Sequence, residues 1–354
     1  MKKFIIVFLM MTMILTSCNN GNDKDNEPSS EVDENTDNTD VDVTELKIED
    51  YFPFKENTEY EYEGEGNEYA TYTVFTDYIT DNRIQTRTNN GGTEMVKVIE
   101  NNNGQLKVLF SRGETYFRED FTKTTSNEGD ILLKEPLTVG NSWTTGDDVK
   151  KSITNTDIEI TIPLGTFKAL EVTSEGKNYK TIDYYVKDMG LIKTVSTGDG
   201  YEVSSTLSKL KTDSPLVQNI IVYYPNMEDN ILNSIQIEVS FNTNDETKDV
   251  IERTIKDASA QSKVLSTNAK INSLYLNEDG MVYLDFSKEF ISEMNAGSAY
   301  ESMILQSITN TIGMYYGVEE VYITVDGKPY ESGHILMKEK EPFKVNFENV
   351  KPVE

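Results

Sequence analysis

The feature that most constrains the fold is a repeated punctuation between Arg83 and Arg118. Short runs of alternating side chains are cut by asparagine and glycine: Arg83–Thr88 then NNGG, Thr93–Glu100 then NNNG, Gln105–Phe110 then SRGE, and finally Thr115–Arg118. Side chains alternate across a strand, and Asn and Gly supply the positive φ angles of tight hairpin turns, so the pattern predicts an antiparallel meander. Tyr60, Tyr62, Tyr72 and Val74 fit the same pleated, half-buried surface. No helix is expected between residues 51 and 210.

A second cluster is more specific: Pro136-Leu137-Thr138-Val139-Gly140-Asn141-Ser142-Trp143, then Ile162-Pro163-Leu164-Gly165-Thr166-Phe167, then the run from Tyr184 to Lys193. It resembles a β-sheet module of bacterial surface lipoproteins. That resemblance implies a curved antiparallel sheet and names no activity. Trp143, the only tryptophan, reads first as a core anchor that buries a large ring; ligand binding, by stacking on a sugar, is the alternative. The twenty tyrosines divide the same way, between filling the buried face of a sheet and lining a glycan or peptide site.

The N-terminal end carries an address. Two lysines and an apolar run, Met1–Ser17, have the form of a secretory signal, and no later segment approaches the ~18 apolar residues of a membrane span. Leu15-Thr16-Ser17-Cys18 resembles the lipobox of bacterial lipoproteins. The resemblance implies that Cys18 receives a diacylglyceryl group, that fatty acyl chains such as palmitate anchor it, and that the protein sits on the extracytoplasmic face of the cell membrane. Two acyl chains hold far more firmly than one. Cys18 is the only cysteine, so no disulfide forms within one chain. Residues 18–50 then read as an acidic disordered tether, with twelve acids against two lysines over 19–50; like charges repel and little apolar surface is available to bury.

The formal net charge of −28 argues against a broad basic patch for nucleic acid or an anionic membrane surface. The length beyond the tether predicts two domains: a β-rich lipoprotein module over 51–212 and a second domain over 215–340, with 341–354 a C-terminal tail. The seam is placed at Lys209–Pro215.

In the second domain Asn219–Tyr224 and Ser234–Phe241 read as strands, and Thr243-Asn244-Asp245-Glu246 as a capping box opening a helix through Val250, Ile251, Ile255 and Ala258. Strands Ile271–Leu276 and Met281–Phe286 flank Asn277-Glu278-Asp279-Gly280. A second capping box, Ser298-Ala299-Tyr300-Glu301, opens a helix with an apolar stripe of Met303, Ile304, Ile308, Ile312 and Tyr315, stopped at Gly317. Val318–Val325 is a last strand, turned by Asp326-Gly327. The order β-α-β-β-α-β predicts an α+β layer with two helices on one face of a small sheet. YYPN at Tyr223–Asn226, SLYLNEDGMVYLDFSKEF at Ser273–Phe290, the helix Ser298–Tyr316 and GVEEVYITVDGKPYESGHI at Gly317–Ile335 together resemble the GerM-type (GerMN) domains of sporulation and spore germination. The resemblance implies a fold like the ring-building motifs of envelope assemblies, an exported or membrane-anchored setting, and no catalytic residues.

The paired acids of the Ser273–Phe290 stretch could be catalytic, metal-binding or structural. Alternation puts Val282, Leu284 and Phe286 on one face with Leu274 and Leu276, and Met281, Tyr283 and Asp285 on the other. Glu278 and Asp279 occupy the turn, and Asp285 or Ser287 is expected to cap a short helix containing Glu289. A Ser-His-Asp triad would have to use His334, the only histidine, which is read as satisfied or exposed. No cofactor or metal motif occurs, although Thr197-Gly198-Asp199-Gly200 and the tether could hold a cation loosely. A carboxylate-pair glycosidase is the enzymatic alternative. The reading is a non-enzymatic envelope lipoprotein that engages envelope or sporulation proteins, with self-association open. The alternative is a glycan- or peptidoglycan-binding lipoprotein using aromatics of the β module.

Overall fold

The first twelve strands form one antiparallel sheet: β1 (Glu59–Glu65), β2 (Tyr72–Ile79), β3 (Arg83–Asn89), β4 (Glu94–Asn102), β5 (Gln105–Arg112) and β6 (Ile131–Lys134), then β7 (Ser142–Thr144), β8 (Lys150–Ile162), β9 (Gly165–Glu175), β10 (Tyr179–Val186), β11 (Gly190–Gly198) and β12 (Tyr201–Lys211). The structure is a computed structural model describing residues 45–126, 129–146, 148–259 and 262–353. The signal sequence, Cys18 and the tether as far as Thr44 lie outside the described residues.

Strand order is β6-β5-β4-β3-β2-β1-β12-β11-β10-β9-β8-β7, so two meanders join where β1 pairs with β12. The β4–β5 turn places Asn103 at φ 52° and Gly104 at φ 68°, the two positive angles that a twist-matched two-residue hairpin needs. At the ends of the sheet, side chains bridge the gap between β6 and β7. The Trp143 indole Nε1 donates to the Ile131 carbonyl (3.0 Å), Asn141 Nδ2 to the Lys134 carbonyl (2.8 Å), and Lys151 Nζ reaches both Asp130 oxygens (2.8 and 3.0 Å). The sheet thus curls almost into a barrel. Trp143 is buried at this seam among Leu133, Leu137, Ile153 and Leu170.

Leu46, Ile48 and Tyr51 pack into that same core, the last two from the short helix α1 (Ile48–Tyr51). The Ile48 N–H donates to Glu135 (3.1 Å), and the Asp50 carbonyl accepts from the Asp188 N–H (2.7 Å). The end of the segment expected to be a tether is therefore docked.

The C-terminal layer begins with the hairpin β13 (Leu216–Asn226) and β14 (Ile231–Phe241), followed by α2 (Thr247–Ala258), β15 (Ile271–Leu276), β16 (Val282–Phe286), α3 (Glu289–Ser292), α4 (Ser298–Tyr316) and β17 (Glu320–Val325). Two-residue β18 (Lys328–Pro329) and β19 (Phe343–Lys344) both pair with β17, and β20 (Val350–Pro352) pairs with β14. The segment set apart as a tail thus supplies two strands. The expected single sheet is two: β13-β14-β20, and β15-β16-β17-β18 with β16 and β17 parallel. Helix α4 bridges them: Tyr223 N–H of β13 donates to Thr311 Oγ1 (3.0 Å), and Asn310 exchanges hydrogen bonds with the Asn346 backbone (2.6 and 2.9 Å). Burial on several sides explains why Thr309, Asn310 and Thr311 are as buried as Ile304, Ile308 and Ile312 of the predicted stripe, whose Met303 and Tyr315 are only half-buried.

Neither capping box forms. The N-cap of α2 is Glu246 without a side-chain bond, while Asp245 Oδ2 accepts from the Asn242 N–H (2.7 Å). The N-cap of α4 is Gly297, and the Glu301 carboxylate is taken by Tyr330, Ser332 and His334. Gly317 does end α4, at φ 70°.

The two regions share one core. Val96 and Val98 on the outer face of β4 pack with Phe117, Phe121 and the helices of the C-terminal layer. Thr115–Arg118, expected as a strand, is an irregular segment. Its carbonyls are claimed by β3 side chains instead of a ladder: Arg87 Nη1 donates to Thr115 O and Nη2 to Phe117 O (2.8 Å), and Gln85 donates to Glu119 O (2.8 Å). Beyond it, Glu119 Oε2 accepts from the Leu276 N–H (2.9 Å) at the end of β15. Burial pushes the Glu119 carboxyl up to about 7, against the opposing Leu276 bond and Arg112 charge. Because the folded value lies above the ordinary 4.5, its contribution is full below that value and is lost as pH rises through 7. Glu119→Gln is expected to leave stability unchanged near pH 5 and to raise it by about 2 kcal/mol at pH 8. Urea denaturation at the two pH values checks this, and a variant less stable at pH 8 contradicts it.

Candidate functional site

The β15–β16 hairpin follows the alternation closely. Val282, Leu284 and Phe286 face the helices and are fully buried, and Leu274 and Leu276 are their cross-strand partners. The turn residue Gly280 takes φ 84°, and Asp279 accepts from the Met281 N–H (3.1 Å) and the Tyr283 hydroxyl (2.9 Å). Desolvation would raise the Asp279 carboxyl, but these bonds and one from Asn277 hold it below its ordinary value.

Asp285 does not cap the following helix. Its Oδ1 accepts from Thr324 Oγ1 (2.6 Å) and the Gly327 N–H (2.7 Å), and its Oδ2 from Asn272 Nδ2 (2.8 Å). Ser287 is no cap either, because its hydroxyl accepts from the Lys270 N–H (3.1 Å) and α3 has no side-chain cap. The parallel β16–β17 pairing decides the matter by setting Asp285 opposite Thr324, and this long-range register is invisible in local sequence. Asp285→Ala is therefore expected to cost about 2 kcal/mol through lost charge-assisted hydrogen bonds. Thermal melts of the full chain check it, and a melting temperature equal to wild type contradicts it.

The open face of this sheet carries a rung of tyrosines. Tyr275 pairs with Tyr283 and Tyr283 with Tyr322 across three strands. Ring centroids lie 5.6 Å and 5.1 Å apart, the first pair stacked and the second edge-to-face. Exposure falls along the rung: Tyr275 is 40% exposed, Tyr283 is half-buried and Tyr322 is buried at 7%. Beside the rung, Ser273, Asp285 and Thr324 line a shallow cleft of about 470 Å³ bordered by Glu339 and Lys340. Sequence reading placed Tyr283 on this face but missed the rung, because Tyr322 joins it only through the parallel pairing.

The other singled-out residues lie apart. His334 Nδ1 is 2.6 Å from Glu301 Oε2, and Tyr330 donates to Glu301 Oε1 (2.7 Å). Burial alone would raise the Glu301 carboxyl, but bonds from Ser332, Tyr330 and His334 hold it below the ordinary range. This cluster pins the segment after β18 to the first turn of α4. Trp143 sits in the seam of the large sheet, outside the lining of that sheet's interior cavity. Among the described residues no group of three His, Cys, Asp or Glu side chains is placed to hold a metal ion, and no helix is long and apolar enough to cross a membrane.

The residues of this layer match a family model over 221–331, described as Germane: sporulation and spore germination. This part of the chain is a Germane domain. The match upholds the resemblance read from the sequence blocks and covers the hairpin, the tyrosine rung and helix α4. No curated protein matches the chain. Among solved structures, the chain is similar to the tandem GerMN domains of the sporulation protein GerM from Bacillus subtilis, at 18% identity over 35% of this chain and 45% of that one, with a TM-score of 0.25. It therefore spans about half of that tandem structure. It is also similar to a chain from Clostridium perfringens described as a lipoprotein, at 19% identity over 37% of this chain and 87% of the other, TM-score 0.23. A third is a protein with a YmcC-like fold from Bacteroides fragilis, at 11% identity over 46% and 99% of the two chains, TM-score 0.25.

Proposed function

We propose that the protein is a membrane-tethered, non-catalytic envelope factor of sporulation or germination, whose Germane domain docks other envelope proteins on its open tyrosine face. The Germane match over 221–331 carries the reading. Several further features support it. Tyr275 and the half-buried Tyr283 present rigid, amphipathic rings, the kind of side chain enriched at protein interfaces, backed by the buried Tyr322. The adjoining cleft adds polar groups that can set register. The lipobox-like stretch ending at Cys18 and the acidic segment behind it fit an anchor and a spacer. His334 and Glu301 serve to hold the C-terminal segment, so the only histidine already has a structural role.

Deletion of the gene in its native host, with complementation, tests the proposal. The wild-type gene is expected to restore spore formation and germination, whereas Cys18→Ala and the double change Tyr275→Ala/Tyr283→Ala are not. Normal sporulation and germination of the deletion strain, together with an envelope pull-down that recovers no protein, would overturn it.

A further inference from the structure

Inside the curled sheet lies a cavity of about 420 Å³, partly open to solvent. Its wall is built from every second residue of neighbouring strands: Tyr60 and Tyr62 on β1, Tyr72 and Val74 on β2, Ile84 and Thr86 on β3. The volume lies within the range of small-molecule sites, and such sites combine an apolar wall with a few placed polar groups. Small barrels commonly hold one ligand in such an interior.

One polar group stands out. Asp183 of β10 lines the cavity and, among the described residues, accepts one side-chain hydrogen bond, from Thr194 Oγ1 on β11 to its Oδ1 (2.6 Å). The other acid of the lining, Asp130, has both oxygens on Lys151. Burial raises the Asp183 carboxyl, opposed by the Thr194 bond and the Lys151 charge, and Tyr72 and Tyr185 line the same cavity. Tyr72 is stacked on Tyr62 at 4.6 Å, and Tyr62 is fixed by its bond to the Leu191 carbonyl (2.7 Å). Burial without a full counter-charge disfavours the ionised carboxyl, so a cation brought beside it restores the carboxylate and gains its charge, and tyrosine rings on the same cavity wall can add ring-quadrupole attraction. Lys97 also lines the cavity, from β4. Its long stem can lie along the wall with the ammonium in water, whereas the short Asp183 side chain is fixed.

We propose that this cavity binds a small amphiphile made of an apolar chain or ring and a protonated amine, the amine seated on Asp183 of the wall that also carries Tyr72 and Tyr185. The cavity and its carboxylate belong to the large sheet, so this inference stands apart from docking on the Germane domain.

Isothermal titration calorimetry of the full chain at pH 7 tests it, with dodecylamine, dodecanol and dodecanoate as probes below their aggregation limits. Dodecylamine is expected to bind saturably and at least tenfold more tightly than the other two. Asp183→Asn, which keeps the side-chain shape, should erase that preference, and Val74→Phe, which fills the cavity, should weaken dodecylamine at least tenfold. Melting curves of both variants confirm that they remain folded; if Val74→Phe does not fold, Asp183→Asn alone decides. No saturable binding, dodecanoate binding as tightly as dodecylamine, or an undiminished amine preference in Asp183→Asn would each overturn the proposal.

Discussion

Arg118→Ala is expected to lower the stability of the protein by about 4 kcal/mol, the cost typical of breaking a buried charge network on one side. Arg118 is fully buried where the large sheet meets the Germane domain. Its Nη2 donates to the carbonyls of Asp77 (2.7 Å) and Asn242 (2.9 Å), and its Nη1 donates to the Asp245 carbonyl. The guanidinium lies 4.2 Å from the centre of the Tyr78 ring, and its Nε is 3.7 Å from Asp77 Oδ1. Asp77 itself is fully buried and paired with Arg87 (3.1 Å). Removing Arg118 takes one donor from each of three backbone carbonyls at the point where α2 begins. Asp77 O is left with only the Asn244 N–H (3.0 Å), Asn242 O with the Asp245 N–H (3.1 Å) and Asp245 O with the Tyr78 hydroxyl (3.3 Å). It also leaves Asp77 with one cation instead of two. Arg118→Lys should recover little, because an ammonium cannot reach three carbonyls in a planar fork. Urea denaturation followed by circular dichroism measures the loss, and a loss under about 1 kcal/mol would contradict this role.

The second large effect is at Trp143. Trp143→Ala is expected to cost about 3–5 kcal/mol, the range for emptying a large buried aromatic site, and to open the seam between β6 and β7. Trp143→Phe keeps most of the apolar contact but loses the Nε1 bond to Ile131, and should cost about 1–2 kcal/mol. If the indole instead served mainly as a ligand platform, both variants would melt like wild type.

The legible part of this fold was local. The Asn-Gly turns and the alternation of Arg83–Phe110 gave β3, β4 and β5 nearly to the residue, and the alternation of Met281–Phe286 separated the buried face of β16 from its tyrosine face. The misread parts depend on contacts far apart in sequence. Thr115–Arg118 has strand-like composition, yet its carbonyls are taken by Arg87 and Gln85, side chains that local propensity cannot locate. The two capping boxes had the right residues, but the Thr243 hydroxyl is engaged by the Asn57 N–H and the Thr76 carbonyl, and the Glu301 carboxylate by Tyr330, Ser332 and His334, so neither is left for a helix N-terminus. Asp285 was read as a cap because the parallel β16–β17 register, which aims it at Thr324 and Gly327, is fixed by a crossover through α4. The cavity was half visible: Tyr60, Tyr62, Tyr72 and Val74 were assigned to one face, but only the curling of twelve strands turns that face into a lumen with Asp183 on its wall.

The central claim, docking of envelope proteins on the tyrosine face of the Germane domain, is tested most directly by site-specific photocrosslinking in living cells. A photoreactive residue replaces Tyr275 in the full-length protein, and a matched control replaces Val139, which is 61% exposed in the turn between β6 and β7. The account predicts a discrete protein adduct from position 275 that is absent from position 139 and is lost when Tyr283 is changed to Ala. Equal adducts from both positions, or none from position 275 during sporulation and germination, would contradict it.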